Sequence, residues 1–195
     1  MGLNQFLSAV ESKGYKTESA ATEIDHNISG RQGKRIAILA FGASAGTAAD
    51  AIYFMTAIKG VVNGAIASGA STVVMTAALT DPAANAAAAN DQIAIEKTDG
   101  TFQFTNIATW TASTLTIVLS AALTGAVSDG AGFYNFGIAA DGHPAYTLGA
   151  AAQATEQLET GLFYGGGRGY PMKIQLTNAV DSNSIDYVTI GFIPI

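Results

Sequence analysis

The residues best placed to do chemistry are Gly42-Ala43-Ser44-Ala45-Gly46, which match G-x-S-x-G. In that pattern a serine sits on a tight strand-to-helix turn, and its small neighbours let the hydroxyl stand clear as a nucleophile. Arg35-Ile36-Ala37-Ile38-Leu39-Ala40-Phe41 ahead of it reads as a buried strand. Asp129 or Asp141, then His143, complete a Ser, Asp, His chain order. The competing reading is a Gly/Ala/Ser loop joining two strands, and it is the stronger one. With 22 glycines and many alanines the motif is cheap. The chain beyond it alternates as β rather than as β and α. No catalytic residue is therefore expected, and a hydrolase using Ser44 is kept as an outsider.

Other constellations are weaker. Gly42 and Gly46 do not make G-x-G-x-x-G, and no Gly-Lys-Ser/Thr ending marks a phosphate loop. Gly165-Gly166-Gly167-Arg168-Gly169 has the composition to cradle an anion, but a plain loop explains it as well. His26 beside Asp25, and His143 near Asp141, are too few for a metal site. Asp81, Asp91, Asp129 and Asp181 read as turn residues first and calcium ligands second. Asn27-Ile28-Ser29 is a glycosylation sequon that matters only on a secretion route. Trp110, Tyr134, Tyr146, Tyr164 and Tyr170 are candidates for a sugar-stacking face, with core or interface packing the competing fate. No cofactor and no metal are expected.

Composition sets the background. The chain of 195 residues is 49% hydrophobic but only 12% charged, with net charge −6. So little charge suits a surface that packs on other subunits, or one covered by neutral Ser, Thr and Asn. Nine scattered basic residues argue against a nucleic-acid face, since phosphates need clustered Lys and Arg. An anionic protein gains nothing from an anionic membrane surface, and no apolar run reaches the ~18 residues of a membrane helix. The absence of cysteine removes disulfides, thiolate zinc sites and cysteine nucleophiles. The start, MGLNQFLSAVESKGYK, shows no basic n-region or long apolar h-region, so no secretory signal is expected. Phe6 breaks the myristoylation pattern after Gly2.

The elements that would position these residues are mostly strands. Leu3, Phe6, Leu7 and Val10 share a helical face, with Gly14 as the stop, and predict a short N-terminal helix. That helix must dock on its own domain or on a neighbour, because a short helix is marginal alone. Lys16 to Arg35 reads as a polar, flexible connector or extended arm, and the expected division is 1–34, helix and arm, and 35–195, a β-sandwich domain. Ala51–Ile58 and Ser71–Leu79 are strand candidates. The stretch Asp91 to Ile138 reads as a β-meander, with Asp99-Gly100 predicting a type I′ hairpin turn. Thr72-Val73-Val74-Met75-Thr76-Ala77-Ala78-Leu79 is echoed 44 residues later by Thr116-Ile117-Val118-Leu119-Ser120-Ala121-Ala122-Leu123, as two equivalent strands in paired sheets or by chance. Met172–Leu176 and Ile185–Ile193 read as a closing hairpin. Many short strands with turn chemistry between them predict an all-β fold, an antiparallel sandwich or barrel-like meander.

The texture of Lys97-Thr98-Asp99-Gly100-Thr101-Phe102, the Gly/Ala/Thr-rich strands and the closing Ile185-Asp186-Tyr187-Val188-Thr189-Ile190-Gly191-Phe192-Ile193 resembles small virion proteins of tailed bacteriophages. Decoration or cement proteins of the head are the nearest kind. Ala48-Ala49-Asp50-Ala51-Ile52-Tyr53-Phe54 and Lys59-Gly60-Val61 add to it. The resemblance implies a non-enzymatic protein made in a bacterial cytoplasm and carried in the virion. Its partners would be itself, as a homo-oligomer such as a trimer, and a major capsid protein. Leu3, Phe6, Leu7 and Val10 would supply assembly contacts, and removing residues 1–30 would leave the core folded. A carbohydrate-binding or host-attachment module is the alternative.

Overall fold

The computed structural model describes residues 9–14, 24–44, 50–80, 86–137, 143–148, 153–164, 169–176 and 184–194. The fold is all-β. Its strands are β1 (Ala9–Gly14), β2 (Ile24–Ile28), β3 (Lys34–Ser44), β4 (Asp50–Thr56), β5 (Ile58–Val61), β6 (Thr72–Val74), β7 (Gln92–Glu96), β8 (Phe102–Thr111), β9 (Thr116–Leu119), β10 (Gly132–Asn135), β11 (His143–Leu148), β12 (Gln153–Tyr164), β13 (Met172–Leu176) and β14 (Ser184–Pro194). Among the described residues the only helical piece is a 3₁₀ turn, Ala112–Thr114. The chain forms two compact units, Met1–Met55 with Gly142–Ile195, and Thr56–Asp141.

The first unit carries two four-stranded sheets, β1-β14-β3-β12 and β2-β13-β4-β11. Counted along this unit alone, its first strand lies beside its eighth, its second beside its seventh, its third beside its sixth and its fourth beside its fifth. That nesting is a long antiparallel ribbon folded once. Rolling the ribbon then brings β14 against β3 and β13 against β4, which is the eight-stranded jelly roll. The core lies between the sheets. Ile36, Ile38, Phe41, Ile185, Val188, Ile190 and Phe192 come from one, and Ile28, Phe54, Met172, Ile174 and Leu176 from the other. Phe41 meets Phe54 edge-on at 5.4 Å. The second unit enters the chain between β4 and β11, which are register partners through Phe54 and His143.

The second unit is a ring of strands in the order β5-β10-β7-β8-β9-β6. It closes where Val62 bridges Met75, with Asn63 N–H donating to Val74 C=O (2.8 Å) and Thr76 N–H to Val61 C=O (2.9 Å). The echoed segments are direct antiparallel neighbours, β6 on β9, with Val73 opposite Ile117. An approximate two-fold through that pair exchanges β5-β6-β7 with β8-β9-β10 and leaves the ring order unchanged. The hydrogen bonds repeat accordingly. Thr76 donates from N–H and hydroxyl to Val61 C=O, and Ser120 does the same to Asn106 C=O. Val62 exchanges bonds with the turn at Gly130-Ala131, and Ile107 with the turn at Asn90-Asp91. Asn90 and Gly130 hold matching positive φ angles of 72° and 76°. The ring is an internal duplication of a three-stranded repeat. Its interior holds Val73, Met75, Ile93, Ile95, Ile107, Ile117, Leu123 and Phe133.

Several expectations change. Val10 lies in β1, paired opposite Gly191, so strand replaces the end of the expected helix; Leu3, Phe6 and Leu7 lie outside the described residues. The helical spacing is real in the sequence, but the free edge of β14 offers six residues of ladder to Ala9–Gly14. Ile24–Ile28, expected in an arm, pairs with β13, so the compact units do not divide at residue 34. Removing residues 1–30 would take two strands out of the roll. The meander holds through β7, β8 and β9, but β10 crosses to sit between β5 and β7. The closing hairpin is not one: β13 and β14 lie in different sheets. At Asp99-Gly100 only Gly100 takes positive φ (77°). Gly100 N–H bonds to Lys97 C=O and Lys97 N–H to Thr101 C=O, both 2.9 Å. This is a three-residue hairpin loop with a left-handed glycine instead of the expected type I′ turn.

Ile117, fully buried on the two-fold, tests the ring core. Ile117→Ala is expected to cost about 2–5 kcal/mol in urea unfolding. A loss under 1 kcal/mol would contradict a packed ring interior.

Candidate functional site

The serine motif is built differently from a nucleophile elbow. Ser44 is the last residue of β3 and is paired on both sides, with Gln153 of β12 and Ser184 of β14. The sheet around it is antiparallel. Gly42 is explained by packing, because the Tyr187 ring lies where a Cβ would be, 2.5 Å away. A glycine in a strand interior commonly marks such a close approach. His143 stands in the other sheet, opposite Phe54. The chain leaving Ser44 enters that sheet at Asp50, opposite Leu148, four residues of β4 away from Phe54. At ~3.3 Å per residue that is about 13 Å of strand. Ala45, Gly46 and Asp141 lie outside the described residues, and Asp129 belongs to the second unit.

The other sequence candidates separate in the same way. Asp129 accepts the Gly64 N–H at 2.7 Å and so latches two loops of the ring. Asp91 accepts the Ala88 N–H (2.9 Å) and the Asn135 side-chain amide (3.0 Å). Both behave as turn residues; Asp81 and Asp181 lie outside the described residues. Among the described residues no three His, Asp or Glu side chains gather into a metal-sized group. Gly169 packs against Arg31 and Gln32 at φ +80°, while residues 165–168 are outside the described set. His26 is buried in β2 opposite Ile174. Of the aromatics, Tyr134 is buried at 3% exposure, and Trp110 packs on the ring core with its Nε1 buried and unpaired. Tyr146 and Tyr164 stand in β11 and β12.

The two-fold of the ring exposes a site that motif reading missed. Each repeat has a seam where its first strand faces the segment after its second strand. In the second repeat Gln103 closes that seam. Its side-chain N–H donates to Ala122 C=O at 2.9 Å, and its carbonyl accepts Thr124 N–H (2.7 Å) and the Thr124 hydroxyl (3.0 Å). Next to it Thr105 and Ser120 share a hydroxyl contact at 3.2 Å. In the first repeat the register puts Ile58 where Gln103 stands and Gly60 where Thr105 stands, since Asn135–Ile58 and Phe133–Gly60 match Ile95–Gln103 and Ile93–Thr105. Ala78 and Thr80 stand where Ala122 and Thr124 do. An aliphatic side chain and a glycine cannot make those bonds. What remains is a notch of about 160 Å3 between Ile58–Val61 and Thr76–Thr80. Leu79 and Met75 reach into the space beside Gly60, where a Cβ would meet them at 2.2 and 2.6 Å. Among the described residues nothing hydrogen-bonds to the Ala78 carbonyl, the Thr80 N–H or the Thr80 hydroxyl. The echo alone does not find it, because its offset of 44 sets Ile58 and Gly60 against Phe102 and Phe104. Only the strand register, with one residue fewer from Gln103 to Thr116 than from Ile58 to Thr72, sets them against Gln103 and Thr105.

Electrostatics are sparse in this unit. Asp99 accepts the Thr101 hydroxyl at 2.6 Å and the Thr101 N–H at 2.9 Å, with Lys97 Nζ at 3.7 Å. The hydroxyl bond first, then the backbone bond and the lysine charge, hold its carboxyl below the ordinary aspartate range. A lowered folded-state pKa stabilises above the unfolded value, and that stabilisation disappears as pH falls through the folded one. Asp99 is therefore expected to titrate below the ordinary value by NMR, and Thr101→Val to move it upward. An unchanged midpoint in Thr101→Val would remove the hydroxyl as its cause.

No family model matches this chain, and neither a curated protein nor a solved structure matches it.

Proposed function

We propose that this is a non-enzymatic virion structural protein, a decoration or cement protein that stabilises a phage shell through subunit contacts. The observation that carries the reading is the jelly-roll nesting of the first unit, an architecture that viral capsid domains use repeatedly. Fold alone does not specify function, so the reading also leans on the virion-like texture of the sequence and its low charge. A neutral surface loses little on desolvation when it packs against a neighbour. The work would then be done by buried area, on the scale of ~1,600 Å2 for a stable contact. Its partners would be further copies of itself and a major capsid protein.

A sugar-binding or host-attachment module is the second reading, because lectin domains also use the jelly roll. The aromatics bear on it: Tyr134 and Phe136 are buried, and a stacking platform needs open ring faces.

Mass spectrometry of purified particles is expected to find the protein in stoichiometric amounts. Absence from particles together with hits on a glycan array would replace this reading with the second. Because β1 starts at Ala9, deleting residues 1–8 spares every described strand. That variant is expected to keep its β circular-dichroism spectrum and to come off particles more readily. Unchanged retention would take the N-terminal segment, with Leu3, Phe6 and Leu7, out of the mechanism.

A further inference from the structure

We propose that the notch between Ile58–Val61 and Thr76–Thr80 is a binding subsite for a primary carboxamide, the side chain of an asparagine or glutamine on a partner polypeptide. The template is inside the same ring. The second repeat shows this seam with a carboxamide in place, held by Ala122 C=O, Thr124 N–H and the Thr124 hydroxyl. The first repeat presents Ala78 C=O, Thr80 N–H and the Thr80 hydroxyl from the corresponding backbone, with Ile58 and Gly60 in place of the residues that would fill it.

The order of donor and acceptor selects the ligand. Ala78 C=O disfavours a carboxylate, and Thr80 N–H disfavours an ammonium. A primary carboxamide carries one N–H on the same side as its C=O, so both can face one strand. A trans secondary amide points N–H and C=O in opposite directions and can serve only one of the two groups. That excludes the acetamido group of an amino sugar. An extended partner strand would offer N–H and C=O from the two amides flanking one residue; the Glu control peptide, which has the same backbone, separates that occupant from a carboxamide. The volume of about 160 Å3 is several times the ~30 Å3 of a liquid water molecule and leaves room for the amide and the carbon chain it hangs from. Ile58 supplies an apolar wall for that chain, and Lys59, near the Tyr134 ring at 5.9 Å, frames the rim. The inference is independent of any place on a shell.

The test uses the full-length, ¹⁵N-labelled protein. The probe is acetyl-Ala-Gln-Ala-methylamide, whose only primary amide is the glutamine side chain; the control carries Glu in place of Gln. The Gln peptide is expected to shift the Thr80 N–H resonance saturably in the millimolar range and to slow its hydrogen exchange, while the Glu peptide does neither. Ile58→Gln, which installs the side chain found at the second seam, is expected to abolish the response by filling the notch from within. A Thr80 resonance unmoved by the Gln peptide, or moved equally by both peptides, overturns the proposal; so does a full response in folded Ile58→Gln. Should that variant not fold, exchange in the unaltered protein decides. Thr80 N–H must exchange at least tenfold faster than Thr124 N–H without peptide, and equal rates overturn the proposal.

Discussion

The first unit depends on β3 lying between β12 and β14. Ile36 faces both Tyr164 and Phe192 in register, and Ser44 both Gln153 and Ser184. This one strand ties the early part of the chain to β14 and supplies Ile36, Ile38, Phe41 and Ala43 to the core. The long closures cost less than their length suggests, because closure entropy rises only as the logarithm of loop length. The ladder and the burial behind it offset that cost together. Neither acts without the other: unpaired, β3 would bury backbone groups at a cost of several kcal/mol each in the worst case. The register shifts at Gln157/Leu162 and Ile185/Tyr187 put extra residues on the two partners of β3, and the shift at Thr189/Ile190 leaves Leu39 extra on β3 itself. Such irregularities let strands bend around a core.

Strand identity was legible in the sequence where strands are short and alternating. Ile93 and Ile95, and Met172, Ile174 and Leu176, announce their core faces by period two alone. Strand partnership was not legible. Gly132-Phe133-Tyr134-Asn135 follows β9 in sequence and invites pairing with it, yet its partners are β5 and β7. Nothing local records that choice, because it is made by which side of the sheet still has an open edge when the ring closes. The same holds for β13 and β14, adjacent in sequence and in different sheets. Ala9–Gly14 shows the opposite failure. A helical spacing of Leu3, Phe6, Leu7 and Val10 was overruled at Val10 by an available edge, as tertiary context commonly overrules propensity.

Low charge has a structural counterpart. Beside the carboxylates of Asp91, Asp99 and Asp129, neutral side chains on backbone groups hold the loops of the ring: Gln103 on residues 122–124, Thr76 on Val61, Ser120 on Asn106, Asn106 on Asn90. Each such bond is worth ~1 kcal/mol net, and neither salt nor pH weakens it much. The Ser44 candidate fares poorly on geometry. An activated serine needs a basic neighbour placed close by, and His143, the histidine of the Ser, Asp, His order, stands in the other sheet. Motif matching could not see this, because it registers residue types and spacing but not the sheet that Gly42 and Ser44 belong to.

The duplicated ring shows the same economy of means. Hydrogen bonds at the β6–β9 pair, at both turns and at both Thr76/Ser120 positions are kept in each half. The seams differ, and so do the contacts behind them: Leu123 exchanges bonds with Gly69 and Ala70, whereas Leu79 C=O accepts from Ala87 N–H. At one seam, Gln103 adds three bonds; at the other, Ile58 and Gly60 make none, and Leu79 and Met75 fill only the inner part of the gap. A ring shaped by stability alone would keep the stapled version twice, since an exposed loop gains by every backbone group it ties down. At the first seam Ile58 and Gly60 exchange those three bonds for an open notch beside Thr76–Thr80.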